Sequence, residues 1–471
     1  MVGGVRRHRE APWQRAGRNF GVLFRRSAGK VTSGSRPRVA VVVAGDLGRS
    51  PRMQNQALAL AEELAEVDLV GEGTSPLRVE VERHPHIHCH FFRSRGLAGR
   101  HRWPRPLFVL YAALRALKQA AQLSGLLLFS IARPDAIVVQ NPPAIPTLLL
   151  CLAVARWRSA ILVVDWHNFG YTLLAQTLGA RHPAVRLASW WEQFFGRRAD
   201  LHFCVSQAMR ERLARSWGID ATVLYDRPTQ FFRPTPLAAR ADLFRRLRND
   251  LSWPDPYDPA GESRPAVILS SSSWTVDEDF QLLLDAVSRG EQITRAHDAD
   301  TSRPPFSHLL VVLTGQGVLR RRVEEEMARL CLRKIHLRTV WLTPEDYSLL
   351  LGSADLGLCL HRSSSGVDLP MKVVDMLGSG LPVCALDYGP CLSEQLRHGE
   401  CGLLFSSAGE LADHLYQLFR DLPRSTPLLD TLRHHVSLAA GRRWQEEWKL
   451  AAEPLLRSLL GEPVRRGDGG S

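Results

Sequence analysis

LGLCLHRSSSGVDLPMKVVDMLGSGLPVCAL, residues 356–386, reads as a strand, a loop, a helix, a stop and a second strand in unbroken succession. LGLCL (356–360) and VCAL (383–386) are short continuous apolar runs of the kind buried on both faces of a parallel sheet. Between them the run Ser363-Ser364-Ser365-Gly366 feeds a helix N-terminus, where unpaired backbone N–H groups and the helix dipole suit a diphosphate. Lys372 supplies cationic charge, and Asp375, one turn later, can accept hydrogen bonds from ribose hydroxyls. Gly378 and Gly380 end the helix. A solvated surface helix explains each of these residues separately but not their order.

The same alternation of apolar runs and helical patterns extends outward in both directions. VILS (267–270), LLVVLT (309–314) and VWL (340–342) precede the quoted unit, and VAVVVA (39–44), AIVVQ (136–140), AILVVD (160–165) and LHFCV (201–205) form an earlier set. These predict two α/β domains with parallel sheets, facing a cleft. The length agrees: a single core rarely grows beyond roughly 250 to 300 residues, and the chain has 471, of which 45% are hydrophobic. The boundaries read as a basic, flexible segment over 1–36, a first domain over 37–227, and an irregular Pro-rich linker over 228–265. A second domain follows over 266–425, then a C-terminal helix and flexible tail over 426–471, the helical stretch 444–460 packing back across the interface.

The formal net charge is +12, much of it at the ends in Arg6, Arg7, Arg9, Arg15, Arg18, Arg25, Arg26, Lys30, Arg465 and Arg466. Such an excess favours anionic partners without choosing among them. No recognition helix, RNP-like motif or zinc pattern supports nucleic acid. The eight cysteines include no C-x-x-C pair and read as reduced, cytosol-facing thiols. In residues 1–36 only 20–24 form an apolar run, far short of a signal peptide or of the roughly 20 apolar residues of a span.

In parallel sheets, ligands gather beyond the carboxyl ends of the strands, and four loops there carry chemistry besides the quoted one. Gly45-Asp46-Leu47-Gly48-Arg49-Ser50-Pro51-Arg52 follows the first strand; Ser50 can cap the helix expected over 54–65, Pro51 suits its first turn, and Arg49 and Arg52 can clamp a diphosphate. Asp165-Trp166-His167-Asn168 ends another strand and suits polyol recognition and proton transfer, since imidazole changes charge near neutral pH. Ser272 and Ser273, in SSSSWTVDED (270–279), offer hydroxyls and backbone N–H groups to phosphate. Gly315, Gln316 and Gly317 offer flexible backbone after a further strand. An ordinary strand-to-helix turn, a structural histidine and an over-provided helix cap are the competing explanations for the first three.

The unit 361–383 resembles the nucleotide-binding element of GT-B glycosyltransferases, in which a carboxylate at or near the helix holds the ribose. Many members have two Glu separated by seven residues; here Asp368 and Asp375 are separated by six. Over residues 38–405 the chain is similar to the dolichol-linked β-1,4-mannosyltransferase family, through GDLGRSPRM, VVQNPPAIPT, DWHNFGYTLLA, SSSSWTVDEDF, EDYSLLLGSADLGLCLH and SSSGVDLPMKVVDMLGSGLPVCA. That resemblance implies a GT-B fold, GDP-mannose as donor, dolichyl-diphosphate-linked chitobiose as acceptor, and inversion at the anomeric carbon. It also implies the cytosolic face of the endoplasmic reticulum membrane and the company of other mannosyltransferases there. Donor-binding residues would be Ser272, Ser273, Gly315, Gln316, Ser365, Gly366, Asp368, Lys372 and Asp375. Gly48, Arg49 and Arg52 would serve the acceptor or its diphosphate, and His167, Asp165 and Asp46 are the candidates for the base. No metal-ligand spacing occurs, leaving Mg²⁺ at most an aid to diphosphate binding.

Two departures from the family stand out. Relatives usually carry T-G-K-G-P where this chain has Thr314-Gly315-Gln316-Gly317-Val318, and Gln316 can hydrogen-bond but not neutralise charge. They also commonly begin with a membrane-spanning helix. Here the apolar stretch 106–131, with Leu107, Phe108, Leu110, Tyr111, Leu114, Leu117, Leu126, Leu127 and Phe129 but interrupted by Arg115 and Lys118, is expected to lie in the membrane interface, with a buried core helix as the competing explanation. Two readings remain beside the main one: a retaining transferase of the same architecture, and a catalytically silent subunit that scaffolds partner transferases.

Overall fold

The computed structural model describes residues 36–93, 114, 117–252, 264–302, 304–422, 424–439 and 441–461. The expected flexible segment 1–36 lies outside them except for Arg36, as does the tail beyond residue 461. Two wholly parallel sheets organise the chain. The first has seven strands: β1 (Arg38–Asp46), β2 (Glu66–Glu72), β3 (Ile87–Phe92), β4 (Ala136–Asn141), β5 (Ile161–Trp166), β6 (Leu201–Cys204) and β7 (Thr222–Val223). Their order is β3-β2-β1-β4-β5-β6-β7. The second has β8 (Ala266–Ser271), β9 (Leu309–Thr314), β10 (Ile335–Val340), β11 (Leu356–Cys359), β12 (Val383–Leu386) and β13 (Gly402–Phe405) in the order β10-β9-β8-β11-β12-β13.

Each order reverses at one point, between β1 and β4 and between β8 and β11. At such switch points neighbouring loops diverge and leave a crevice. The Asp46 turn follows β1 and the Ser272 loop follows β8, so both lie at a crevice by topology alone. The quoted unit is β11, loop, helix Met371–Gly378 and β12, with Val383 in register with Gly357 and Ala385 with Cys359.

Four strands escaped the sequence reading, and all lie toward sheet edges. β2 and β3 carry charged or polar residues at alternate positions; Asp68, in β2, is buried because Arg38 and His90 both bond its carboxylate. β10 lies at 335–340 rather than 340–342, because the polar His336 and Arg338 occupy one face of an edge strand while Ile335 and Leu337 bury the other. β7 has only two residues, and β13 offers only the three-residue apolar run Leu403–Phe405 after its glycine.

The linker 228–265 is less irregular than expected. It contains the helices Leu237–Arg246 and Arg248–Leu251, whose Leu243, Phe244, Leu247 and Leu251 cover β8, β9 and the helix Met371–Gly378. The C-terminal helices Trp444–Ala451 and Glu453–Leu460 cross back to the first domain, where Trp444, Trp448, Leu456 and Leu460 complete its core. Trp444 Nε1 donates to Asn55 O at 3.1 Å and Trp448 Nε1 to Gln56 Oε1 at 3.0 Å, so these indoles enter the core with their polar atoms satisfied.

Leu107, Phe108, Leu110, Tyr111 and Arg115 lie outside the described residues. Nearby, residues 117–130 are helical: Leu123 and Leu127 enter the first domain's core, whereas Leu117 and Phe129 are 66% and 84% exposed. Among the described residues no helix is long and apolar enough to cross a membrane.

Candidate active site

The turn after β1 is built around Asp46. Its carboxylate accepts from Gly48 N at 3.2 Å, capping the short turn Leu47–Arg49, and from Ser75 N at 3.1 Å and Ser75 Oγ. Burial pushes this carboxyl up, but the hydrogen bonds from Ser75 and Gly48 outweigh it and hold the group below its usual range. The glycine at 48 has a structural cause: a Cβ there would stand 2.5 Å from Pro76 O. Helix Pro51–Glu63 starts earlier than the expected 54, with Pro51 in its first turn, but Ser50 does not cap it with its side chain. Its hydroxyl donates to Asp46 O at 3.0 Å instead.

Arg49 is exposed beside the cleft, but Arg52 corrects the expected clamp. Its guanidinium is 1% exposed and makes a two-pronged pair with Asp165, Nε to Oδ2 at 2.9 Å and Nη2 to Oδ1 at 2.8 Å. Nη1 reaches Asp226 Oδ1 at 2.8 Å and Leu224 O at 2.9 Å. Every donor edge is engaged inside the protein, so Arg52 does not face a diphosphate.

Asp165 is corrected with it. Burial would raise its carboxyl, yet the charges of Arg52 and His167 reverse this and hold it far below the usual carboxylate range. A carboxylate so firmly ionised does not act as a base. What it does is orient His167, whose Nε2 stands 3.1 Å from Asp165 Oδ2. The His167 side chain is 20% exposed, enough for its other face to meet a ligand.

In the second domain the loops after β8 and β9 interlock. A Cβ on Gly315, where φ is +101°, would lie 1.9 Å from Ser272 O, and one on Gly317 would lie 2.1 Å from Ser273 O. Glycine is therefore required at both positions by close backbone approach. Gln316 between them is exposed. The Ser272 hydroxyl and Ser273 amide, expected to offer themselves to phosphate, are already taken: both bond Glu278 Oε2, at 2.7 and 2.9 Å, as does Trp274 N at 2.8 Å. Lys372 bonds the other oxygen of Glu278. Glu278 thus joins the Ser272 loop to the helix Met371–Gly378, a role its place in an acidic run did not signal.

Asp368 is likewise turned inward. It accepts from Ser365 Oγ at 2.8 Å, from Ser363 Oγ, and contacts His361 Nε2 at 3.4 Å. His361 Nδ1 meets Asp277 Oδ2 at 3.1 Å, so this imidazole bridges two carboxylates. The result is a fixed loop in which Gly366 adopts φ +73°. Asp368 shapes that loop and has little left to offer a ligand. By contrast, the helix Met371–Gly378 has no side-chain cap at its N-terminus, and Asp375 has no hydrogen-bond partner among the described residues. Burial and the nearby charge of Asp226 push the Asp375 carboxyl well above its usual range.

The two half-sites meet. Asn168 Nδ2 donates to Ser364 Oγ at 3.2 Å, the Thr172 and Ser364 hydroxyls lie 3.1 Å apart, and Arg212 bridges Ser365 O and the Tyr171 hydroxyl at 2.7 Å each. His167 therefore stands next to a residue pinned to the Ser363–Gly366 loop. Of the side chains that unite the site, Glu278 and His361 lie within the sequence motifs, which signal no role for them, and Asp226 and Arg212 lie in none.

The family described as Glycosyl transferase 4-like domain matches residues 48–225, and Glycosyl transferases group 1 matches residues 266–421. Among solved structures, Anabaena HepE in complex with UDP and glucose superposes with a TM-score of 0.61 at 16% identity, covering 89% of this chain and 99% of that one. Sucrose-phosphate synthase from Thermosynechococcus elongatus gives 0.59 at 17%, covering 90% and 99%. Two parallel-sheet domains that meet through loops beyond the carboxyl ends of their strands, with these matches, make the chain a GT-B glycosyltransferase. It is 41% identical to the chitobiosyldiphosphodolichol beta-mannosyltransferase of Mus musculus, covering 89% of each chain, and 40% identical to that of Homo sapiens, covering 89% and 92%. It is also 42% identical to an Arabidopsis thaliana protein named UDP-glycosyltransferase TURAN, covering 91% and 99%. The chain belongs to the chitobiosyldiphosphodolichol beta-mannosyltransferase family.

Proposed function

We propose that this chain transfers mannose from GDP-mannose, in β-1,4 linkage and with inversion, to dolichyl-diphosphate-linked chitobiose at the cytosolic face of the endoplasmic reticulum. Family membership supports the acceptor and the sugar. The observation that carries the mechanism is the His167–Asp165 contact of 3.1 Å beside a loop bonded to the second domain.

Asp165 accepts from Nε2–H and so leaves the Nδ1 lone pair of His167 as the base. The acceptor's 4-hydroxyl gives its proton to Nδ1 as its oxygen attacks the anomeric carbon from the face opposite the diphosphate. The bond from that carbon to the diphosphate oxygen breaks, and GDP leaves with the electron pair. Asp165 stabilises the resulting imidazolium, which returns its proton to solvent after product release. The uncapped N-terminus of the helix Met371–Gly378, with Arg49 and Lys372, faces the charge developing on the leaving group. Asp375 accepts from the ribose hydroxyls.

Among the described residues no group of three or more metal-ligating side chains occurs, and we assign any Mg²⁺ to the diphosphate itself. The exposed Leu117 and Phe129 support contact with the membrane surface by the 106–131 stretch. The test is incubation of the purified chain with GDP-mannose and a polyprenyl-diphosphate chitobiose, with and without chelator, followed by mass, linkage and anomer analysis. An α-linked product would indicate a retaining enzyme, and no turnover a silent subunit.

A further inference from the structure

Arg78 is a cation whose guanidinium has no hydrogen-bond or ion-pair partner among the described residues. It begins the short helix Val79–Glu82, and its Nε and Nη2 are shielded from solvent with no hydrogen-bond acceptor among the described residues. Burial lowers its affinity for a proton, while the charges of Glu80 and Asp375 act in the opposite sense. Leaving a shielded guanidinium unbonded is unfavourable, and native proteins do so mainly where something else completes the bonding.

The surroundings say where that something lies. The segment holding Arg78 is packed onto the turn after β1: Ser75 bonds Asp46, Pro76 lies against Gly48, and Arg78 N donates to Gln54 Oε1 at 3.0 Å. Gln54 in turn holds Leu47 O at 2.9 Å. Asp375, from the opposite domain, is close enough to bear on its ionisation. Arg78 therefore lies against the switch-point turn of the first sheet, on the side of the cleft. Nε–H and one Nη2–H point the same way from a planar guanidinium, and that edge matches two oxygens of a phosphate.

We infer that Arg78 binds a substrate diphosphate in the interdomain cleft, its Nε–Nη2 edge receiving two phosphate oxygens. It takes the place for which Arg52, engaged with Asp165 and Asp226, is unsuited. The inference rests on the proposed function for the presence of a diphosphate there. Two substrates carry one: the departing nucleoside diphosphate and the lipid-linked acceptor.

The experiment uses the full chain and its Arg78→Gln and Arg78→Lys variants, with GDP and guanosine binding by calorimetry and KM for a short polyprenyl-diphosphate chitobiose. A GDP affinity lowered roughly tenfold or more in Arg78→Gln, with guanosine unchanged and Arg78→Lys intermediate, assigns Arg78 to the donor. Unchanged GDP affinity with a comparably raised acceptor KM assigns it to the acceptor. Equal losses for GDP and guanosine would overturn the inference, because Arg78 would then act through Asp375 on the ribose. Unchanged GDP affinity and unchanged KM would overturn it too. Failure of the wild-type chain to bind GDP or transfer mannose is a separate result that removes the proposed function itself.

Discussion

His167 Nε2 approaches Asp165 Oδ2 at 3.1 Å, and the same oxygen also accepts from Arg52 Nε at 2.9 Å and Gln56 Nε2 at 3.1 Å. One buried carboxylate thus serves two purposes, holding the imidazole and anchoring the first domain. The two can be separated by mutation.

His167→Ala removes the base and leaves Asp165 with Arg52. Loss of a general base typically lowers rate by about 10² to 10⁴. Turnover should therefore fall about a hundredfold or more while calorimetry shows GDP affinity preserved. Were most of the turnover retained, Asp46 would become the base to test, by Asp46→Asn. Its prospects are poorer, since its carboxylate already accepts three hydrogen bonds from Ser75 and Gly48.

Asp165→Asn should behave differently, since it also takes from the buried Arg52 one of its two carboxylate partners and leaves only Asp226. Loss of a hydrogen bond to a charged group costs about 1.5–3 kcal/mol. Urea unfolding should show a loss of that order in addition to lost turnover, whereas His167→Ala should unfold close to wild type. Equal stabilities for the two variants would contradict the structural half of Asp165's role.

The places of these residues were legible in the sequence; their pairings were not. VAVVVA, AILVVD, LLVVLT and LGLCL announce strands because both faces are apolar, and the strand ends then put Asp46, His167, Gly315 and Ser365 at loops near the cleft. Periodicity says nothing about what a polar side chain finally touches. Arg52 meets Asp165 and Asp226 across 113 and 174 positions, and Ser272 and Asp368 close on local partners in loops without a repeating pattern. The missed strands failed for a related reason: at sheet edges, charges such as Asp68 and Arg338 are tolerated and erase the apolar run that marks a central strand.

Asp375 gives a pH-dependent prediction. Its carboxyl lies well above its usual range in the free chain because of burial and Asp226, whereas ribose hydroxyls donate to the ionised form. Binding should then release a proton, so GDP affinity should rise with pH and fall as the solution is made more acidic. Asp375→Asn should flatten that dependence, and Asp375→Ala should weaken GDP binding by roughly tenfold or more. Calorimetry in buffers of different ionisation enthalpy measures the proton directly; a wild type that releases none would remove Asp375 from the ribose.

His202 predicts how stability responds to acid. It is buried in β6, where Trp166 Nε1 donates to its Nδ1 at 3.2 Å. An indole N–H only donates, so Nδ1 must be the unprotonated acceptor and the ring neutral. Burial agrees, pushing the imidazole down from 6.5 to about 4. Between those values the unfolded chain binds a proton that the folded chain refuses. The contribution of neutral His202 is therefore complete above pH 6.5 and is lost as pH falls through the window toward about 4. The loss is about 1.4 kcal/mol for each pH unit inside it. His202→Gln keeps an acceptor for Trp166 but does not titrate. Urea unfolding of the two proteins across this window should show the wild type losing stability relative to His202→Gln at about that slope, with parallel curves above it. Parallel curves throughout would mean that the folded chain protonates His202 as readily as the unfolded one, and that the Trp166 hydrogen bond does not hold the ring neutral.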